Sequence, residues 1–268
     1  MKTLKMFGKL ALAVLVCTGF VACSSDDETT NPNGGVISGK KITMLVQEEY
    51  NQNGYTNTET YILDYDVDGK LFVVFYNGVS GMNGLNYTYE STHEYTWSND
   101  AIYTDGEIKG GYVLKNNLIQ KVNDPHGETF TYNNSKRLAN WKEYGGSIET
   151  TYTTSLTWEG DKLISMTHKL GNTIREKETI TYGGCCNAGY NPLIAKLAYG
   201  GVLFYAHPEL LGLRSAQLPI SITTESDEIW SETGTRNYEY EFDEAGYITK
   251  IVGKVESEIV ETWTITWE

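Results

Sequence analysis

From residue 40 to the end of the chain, apolar and polar residues alternate with a period of two. Ile148, Tyr152, Leu156 and Trp158 fall on one face of a stretch whose other face carries Glu149, Thr151, Thr153, Ser155 and Thr157. The last stretch repeats the pattern, with Val255, Ile259, Trp263, Ile265 and Trp267 set against Glu256, Glu258, Thr262, Thr264 and Thr266. One dry and one wet face is the mark of antiparallel strands packed on one side. The pattern predicts a mainly β domain over 39–268, an antiparallel up-and-down meander forming a curved open sheet or half-barrel.

The strand ends echo one another. An apolar residue, a threonine and a large aromatic recur as Tyr95-Thr96-Trp97, Phe130-Thr131-Tyr132, Leu156-Thr157-Trp158, Ile180-Thr181-Tyr182 and Ile265-Thr266-Trp267. From Trp97 to Tyr182 the copies follow at intervals of about 24 to 35 residues, the length of one hairpin. Two turns share the form aromatic-Asp-x-x-Gly-x-aliphatic, at Tyr65 to Leu71 and at Phe242 to Ile248. There the Asp side chain bonds back to the turn and Gly supplies a positive φ.

The alternation stops at about 183–217. Asn191-Pro192 is an N-cap followed by a first-turn proline, and Leu193, Ile194, Leu197 and Ala198 keep helical spacing until Gly200-Gly201. A second start lies at Pro208-Glu209. Helices this short need an apolar surface to lie on. The insert therefore either completes the core or covers an apolar pocket, whose candidate lining is Leu193, Ile194, Leu197, Leu203, Phe204, Leu210 and Leu211.

The N-terminal segment is of another kind. Residues 1–22 have the form of an export signal, with Lys2, Lys5 and Lys9, an apolar run from Leu10 to Val21, and Ala22 before the cut. Phe20-Val21-Ala22-Cys23 resembles a bacterial lipobox, with Phe20 in place of the usual Leu; the resemblance implies lipidation of Cys23. Ser24-Ser25-Asp26-Asp27-Glu28 resembles the surface-export signal of Bacteroidetes lipoproteins. Residues 23–38 read as a flexible acidic tether.

At the strand-and-turn repeats the chain resembles divergent tyrosine-aspartate (Rhs-type) repeats. Over most of its length it is similar to a family of Bacteroidetes surface or outer-membrane lipoproteins with a porin-like β fold. The lipobox, the hairpin series, the segment Ser215-Ala216-Gln217-Leu218-Pro219 and the closing Tyr238 to Trp267 hairpin carry that resemblance. It implies a fold and an envelope address, and lends no catalytic residue.

Composition narrows the partners. Asp and Glu number 35 against 21 Lys and Arg, and removing the leader takes away three lysines and no acid. So acidic a surface repels phosphate backbones, which excludes nucleic acid as a partner. Twenty Tyr, six Trp and 27 Gly with five Pro suit a twisted, turn-rich sheet.

Candidate chemistry is sparse. Asp64 to Gly69 matches the first half of a calcium loop, but Phe75 stands where an EF-hand needs Glu. His93, His126, His168 and His207 share no metal-ligand spacing along the chain. Gly78-Val79-Ser80-Gly81 falls short of a nucleophile elbow. Once Cys17 leaves with the signal and Cys23 is lipidated, Cys185 and Cys186 remain, as a strained vicinal ring or as two thiols.

The sequence thus assigns no catalytic residue, metal ligand or cofactor. It points to a lipoprotein of the outer membrane or cell surface acting as a non-enzymatic binding or scaffold module. Its partners would be the membrane, through the lipid on Cys23, and a lipid, a glycan or an envelope protein. The alternatives are an apolar ligand under the insert as lid, and glycan capture by exposed Tyr and Trp.

Overall fold

The computed structural model describes residues 39–50, 55–82, 85–124, 127–147, 150–226 and 233–268. Cys23, the leader and the tether lie outside them, as do His126, Ile148, Glu149 and the side chains of Cys185 and Cys186. Sixteen strands among the described residues follow one another as a meander. They are β1 (Ile42–Tyr50), β2 (Thr56–Tyr65), β3 (Leu71–Met82), β4 (Leu85–Trp97), β5 (Ala101–Thr104), β6 (Glu107–Lys115), β7 (Leu118–Val122) and β8 (Thr129–Tyr132). After these come β9 (Leu138–Glu143), β10 (Tyr152–Glu159), β11 (Lys162–Leu170), β12 (Thr173–Cys186), β13 (Gln217–Ser226), β14 (Gly234–Phe242), β15 (Ile248–Val255) and β16 (Glu258–Trp267).

Each strand pairs antiparallel with the next, and β16 returns to pair with β1, Trp267 opposite Ile42 and Trp263 opposite Gln47. The sheet is a closed barrel, which corrects the expected open sheet or half-barrel. Alternation tells which face of a strand is dry, and it reads the same in an open and a closed sheet. The edges carry the missing information: neither β1 nor β16 holds a proline or a lysine of the kind that guards a free edge. The strand count was also compressed in the sequence, since the interval from Trp97 to Tyr132 holds β5 to β8 where its length suggests one hairpin.

One device recurs around the barrel. The odd strands β1, β3, β7, β9, β11, β13 and β15 each bulge just after Ile42, Leu71, Ile119, Leu138, Leu163, Pro219 and Ile248, respectively. A bulge breaks the ladder and leaves a backbone group to be satisfied otherwise. In all seven, an aromatic near the end of the following even strand donates to that residue's carbonyl. The donors are Tyr65 Oη to Ile42 (2.7 Å), Trp97 Nε1 to Leu71 (2.8 Å), Tyr132 Oη to Ile119, Trp158 Nε1 to Leu138 (2.7 Å), Tyr182 Oη to Leu163 (3.0 Å), Tyr240 Oη to Pro219 (2.7 Å) and Trp267 Nε1 to Ile248 (2.6 Å). Five of these donors close the apolar-Thr-aromatic triplets. Where the residue before the aliphatic is basic, its charge lies over the same ring, as with Lys41 on Tyr65, Lys70 on Trp97, Arg137 on Trp158 and Lys162 on Tyr182.

The turns at this end share a mechanism too. Asp66 Oδ1 accepts from the Asp68 and Lys70 amides, and Asp243 Oδ1 accepts from those of Ala245 and Tyr247. Gly69 and Gly246 take φ of 79° and 85°. Asn133 does the same work with Ser135 and Arg137, Lys136 standing at the positive-φ position.

The insert enters the barrel at this end. It forms α1 (Pro192–Ala198), α2 (Val202–Ala206) and a short 3₁₀ turn, Pro208–Leu211. Asn191 caps α1 by accepting from the Leu193 amide. The insert meets the wall from several sides: Phe204 packs on Tyr112, Tyr199 on Phe130 and Trp141, Tyr205 on Trp263, and Tyr190 on Trp267. Its own polar groups are satisfied by the wall. His207 Nε2 accepts from the Leu71 amide at 3.0 Å, and Trp141 Nε1 donates to the Ala198 carbonyl at 2.9 Å. Wall and insert form one core, a plug within the barrel.

The outer face is wet. It carries Thr153, Ser155 and Thr157 on β10, Thr179 and Thr181 on β12, Glu239 and Glu241 on β14, and Thr262, Thr264 and Thr266 on β16. Ion pairs Glu239–Lys254 (2.6 Å) and Glu241–Lys250 (3.2 Å) bridge outward-facing neighbours. Outward apolar residues include Met44, Ile62 and Phe75 on β1 to β3 and Val252 on β15. A bilayer-spanning barrel needs an apolar band about 25 Å tall all the way round; the outward residues named on β10, β12, β14 and β16 are polar.

Tyr182→Phe and Tyr65→Phe test the bulge device, because each deletes one hydroxyl and keeps the ring. Each should lower stability by about 1–3 kcal/mol, the cost of a buried carbonyl left without a donor, read from the urea midpoint.

Candidate functional site

Along many of the strands the inward residues change character from the plugged end to the far end. On β1 the order is Ile42, Leu45, Gln47, Glu49, and on β16, read backwards, Trp267, Ile265, Trp263, Glu261. Leu63 and Tyr61 give way to Glu59 and Asn57 on β2, Ile180 to Glu178 and Glu176 on β12, and Trp141 to Glu143 on β9. The far half of the lumen is thus polar and acidic. Water reaches it, since Tyr87 and Tyr152 there are exposed.

Its floor is an ion network between insert and wall. Leu193 and Ile194 bury one side of α1, which leaves Lys196 at the last turn to reach the acids. Its Nζ lies 2.8 Å from both Glu49 Oε1 and Glu261 Oε2, and 5.3 Å from the Trp263 ring centre. Arg236 Nη1 donates to Glu261 Oε1 at 3.2 Å. Glu261 is 1% exposed. Burial alone would raise its pKa, but the charges of Lys196 and Arg236 and bonds from Lys196 and Tyr238 outweigh it and hold the carboxyl at about 2. Gly253 makes the room, because a Cβ there would sit 2.7 Å from Glu261 Cγ.

The wall carries three further groups. Glu128, whose carboxylate accepts from Tyr199 Oη, is raised to about 7 by burial and by the nearby charges of Glu143 and Asp124. On β2 to β4, Tyr61 stacks on Tyr76 at 4.9 Å, and Tyr76 lies 5.4 Å from Tyr89. Glu59 accepts from Tyr61 (2.6 Å) and Tyr76 (3.1 Å), and burial followed by these bonds and charges pushes both phenols far above their ordinary range. Across the lumen wall, His168 on β11 meets Glu176 and Glu178 on β12.

Of the residues singled out as apolar lining, Leu193, Ile194, Leu203, Phe204, Leu210 and Leu211 are buried in the shared core, and Leu197 is partly buried against it. Cys23 lies outside the described residues. Sequence reasoning missed the floor. The available signal was Glu261, an acid in phase with Trp263, Ile265 and Trp267 on the dry face of the last strand.

No protein-family model and no curated protein matches the chain. Among solved structures, the chain is similar to a porin-like protein from Bacteroides uniformis ATCC 8492, with 16% identity and a TM-score of 0.59 over 85% of this chain and 96% of that one. A porin-like protein from Bacteroides vulgatus ATCC 8482 aligns with 12% identity and a TM-score of 0.40 over 86% of this chain and 99% of that one. The first likeness shows a shared fold, which agrees with the porin-like β fold implied by the sequence; the second is too loose to add to it. The lipoprotein part of that resemblance rests on the sequence alone.

The floor predicts a pH response. The folded carboxyl of Glu261 is depressed from 4.5 to about 2. Its contribution, on the order of 3 kcal/mol, is present above pH 4.5 and fades as pH falls toward 2. Glu261→Gln should cost about 3–5 kcal/mol at neutral pH by removing the buried charge shared by Lys196 and Arg236, and should flatten the acid limb of a urea-midpoint profile. Glu128 has the opposite sign. Its folded pKa of about 7 exceeds the ordinary 4.5, so folding loses stability as pH rises through 7. Glu128→Gln should make the protein more stable than wild type at pH 8 and nearly equal to it at pH 4.

Proposed function

We propose that the chain is an envelope lipoprotein, anchored through Cys23, that serves as a non-enzymatic binding module outside the bilayer. The observation that carries this reading is the distribution of polarity. The barrel wears threonine, serine, lysine and glutamate outward, buries its apolar residues against a plug, and turns an acidic, tyrosine-lined half lumen to water. A wet wall supports a tethered body over a membrane-spanning pore, and the export signal and the lipobox supply the tether. Ser24 to Glu28 support display on the cell surface.

The polar half lumen favours a polar occupant. Carboxylates take hydroxyl or ammonium donors, and tyrosine faces take sugar C–H faces or cations. Glycan capture is the second reading, favoured by the run Tyr61, Tyr76 and Tyr89 on the inner face of β2 to β4. The packing of the insert argues for a filled core over a lid, because Phe204 and Tyr205 of α2, and Tyr190 and Tyr199 on either side of α1, lie in edge-to-face contact with rings of the wall.

Cys23→Ala should move the protein from the membrane fraction into the soluble one. The chain from residue 24 onward should stay monodisperse without detergent and add no conductance to a planar bilayer. A need for detergent, or stepwise conductance, would sink the reading. Leu203→Ala should cost about 2–5 kcal/mol, and the partly exposed Leu197→Ala clearly less, with no saturable uptake of an apolar dye by wild type.

A further inference from the structure

We infer that His168, Glu176 and Glu178 form a binding site for a divalent transition-metal ion on the wall of the half lumen. Along the chain nothing about these three suggests a ligand set. The ladder brings them together: β11 and β12 pair with His168 opposite Glu176, and Glu178 follows two residues on, on the same face. They share that inward face with Thr154, Met166 and Ile180.

The geometry fits an ion. One ligand atom from each residue lies within 4.8 Å of the others. His168 Nε2 is 3.6 Å from Glu178 Oε2 and 4.0 Å from Glu176 Oε1. Metal bonds of about 2.0–2.1 Å in a tetrahedron set neighbouring ligand atoms about 3.4 Å apart. The imidazole nitrogen therefore needs to approach the two carboxylates by about 0.2 and 0.6 Å, and the two carboxylate oxygens, within 4.8 Å of each other, need to close by at most about 1.4 Å, a change on the scale of side-chain rotation. Thr154 Oγ1 lies 2.9 Å from His168 Nδ1. When the Nδ1–H donates to that hydroxyl, the Nε2 lone pair is presented to the carboxylates, the arrangement by which proteins orient a ligating imidazole. Thr154 is 2% exposed, so its position is fixed by the wall.

The donor set chooses the class of ion. One imidazole nitrogen and two carboxylates suit zinc or manganese, whereas calcium asks for six to eight oxygens. Two negative charges balance the ion, and the side chains keep 14–28% exposure, which leaves an entry path and an open coordination position toward the lumen. The site does not depend on the function proposed above. A barrel anchored elsewhere, or binding no glycan, would hold the ion equally well.

The test uses the chain from residue 24 onward, stripped with a chelator and titrated with Zn²⁺ by calorimetry and with Co²⁺ by visible absorption. One ion per chain should bind, and the Co²⁺ bands should report nitrogen and oxygen ligands in a low-coordinate site. His168→Gln, and the double variant Glu176→Gln with Glu178→Gln, should each weaken Zn²⁺ binding at least about a hundredfold. Thr154→Val, a positioning change, should weaken it about 10–100-fold, and Thr154→Ser should restore it. Glu239→Gln with Glu241→Gln, on the outer face, should leave it unchanged. Circular dichroism without metal checks that each variant folds, and the two ligand variants give independent readings should one of them fail. Absence of Zn²⁺ binding to wild type up to about 1 mM would overturn the site. Wild-type affinity in the folded ligand variants would overturn it as well, by placing the ion elsewhere.

Discussion

Sixteen strands enclose more space than their own side chains fill, and the rest of the structure answers that constraint. A barrel of about eight strands closes over its inward residues, whereas sixteen leave a channel. With an outer face of threonine and glutamate, the apolar residues of this wall have only the lumen in which to bury. One aliphatic or aromatic layer per strand does not meet in the middle. The insert between β12 and β13 supplies what is missing, and its Leu193, Ile194, Phe204 and Leu211 are among the most buried side chains of the chain. Threading backbone through an apolar lumen carries its own requirement, since every amide and carbonyl must find a partner there. His207, Trp141 and Tyr190 meet part of it, with Tyr190 Oη donating to the Tyr205 carbonyl at 2.6 Å.

The same constraint separates fold likeness from function. A barrel of this size with apolar residues outward and water inside is a pore; with the polarity reversed and one end filled, it is a plugged cup. The likeness to a porin-like structure from Bacteroides uniformis concerns the path of the backbone, at 16% identity, and side chains decide between pore and cup. In this chain the outward threonines of β10, β12 and β16, with the glutamates of β14, give those four strands a polar outer face. Fold likeness by itself assigns no function, and the candidate polar groups gather in the half of the lumen that the plug leaves open.

Much of the fold was legible, for a local reason. The aromatics of the apolar-Thr-aromatic triplets recur because each satisfies a carbonyl freed by a bulge, so the motif is written into short windows of sequence. The Asp and Gly of the two full turns act within five residues and are equally readable. Closure was not legible, because the pairing of β1 with β16 joins residues more than 200 positions apart and alternation is blind to it. Nor were the site residues. Glu261 looks like one polar residue among many in Glu258 to Trp267 until its phase with the tryptophans is noticed. His168 and Glu178 are neighbours only once the register of β11 on β12 is fixed, and a bulge in β12 between Ile174 and Glu176 helps to set that register.

The floor network shows why the plug sits one way round. Replacing a buried ion cluster by apolar residues of similar size is often neutral for stability, so Lys196, Glu49, Glu261 and Arg236 are not explained by stability alone. Orientation explains them better. Apolar packing is non-directional, and a short insert rich in leucine would find several ways to fill a wide lumen. Lys196 at the end of α1 sits between two carboxylates, 2.8 Å from each, and that pairing fixes its seat. Any other seating would bury Glu261 with Arg236 as its one remaining cation. Glu261 thus opposes mis-seating, and Gly253 keeps the space it needs. The boundary between dry and wet lumen falls at this network because there the insert stops filling space and starts to present charge.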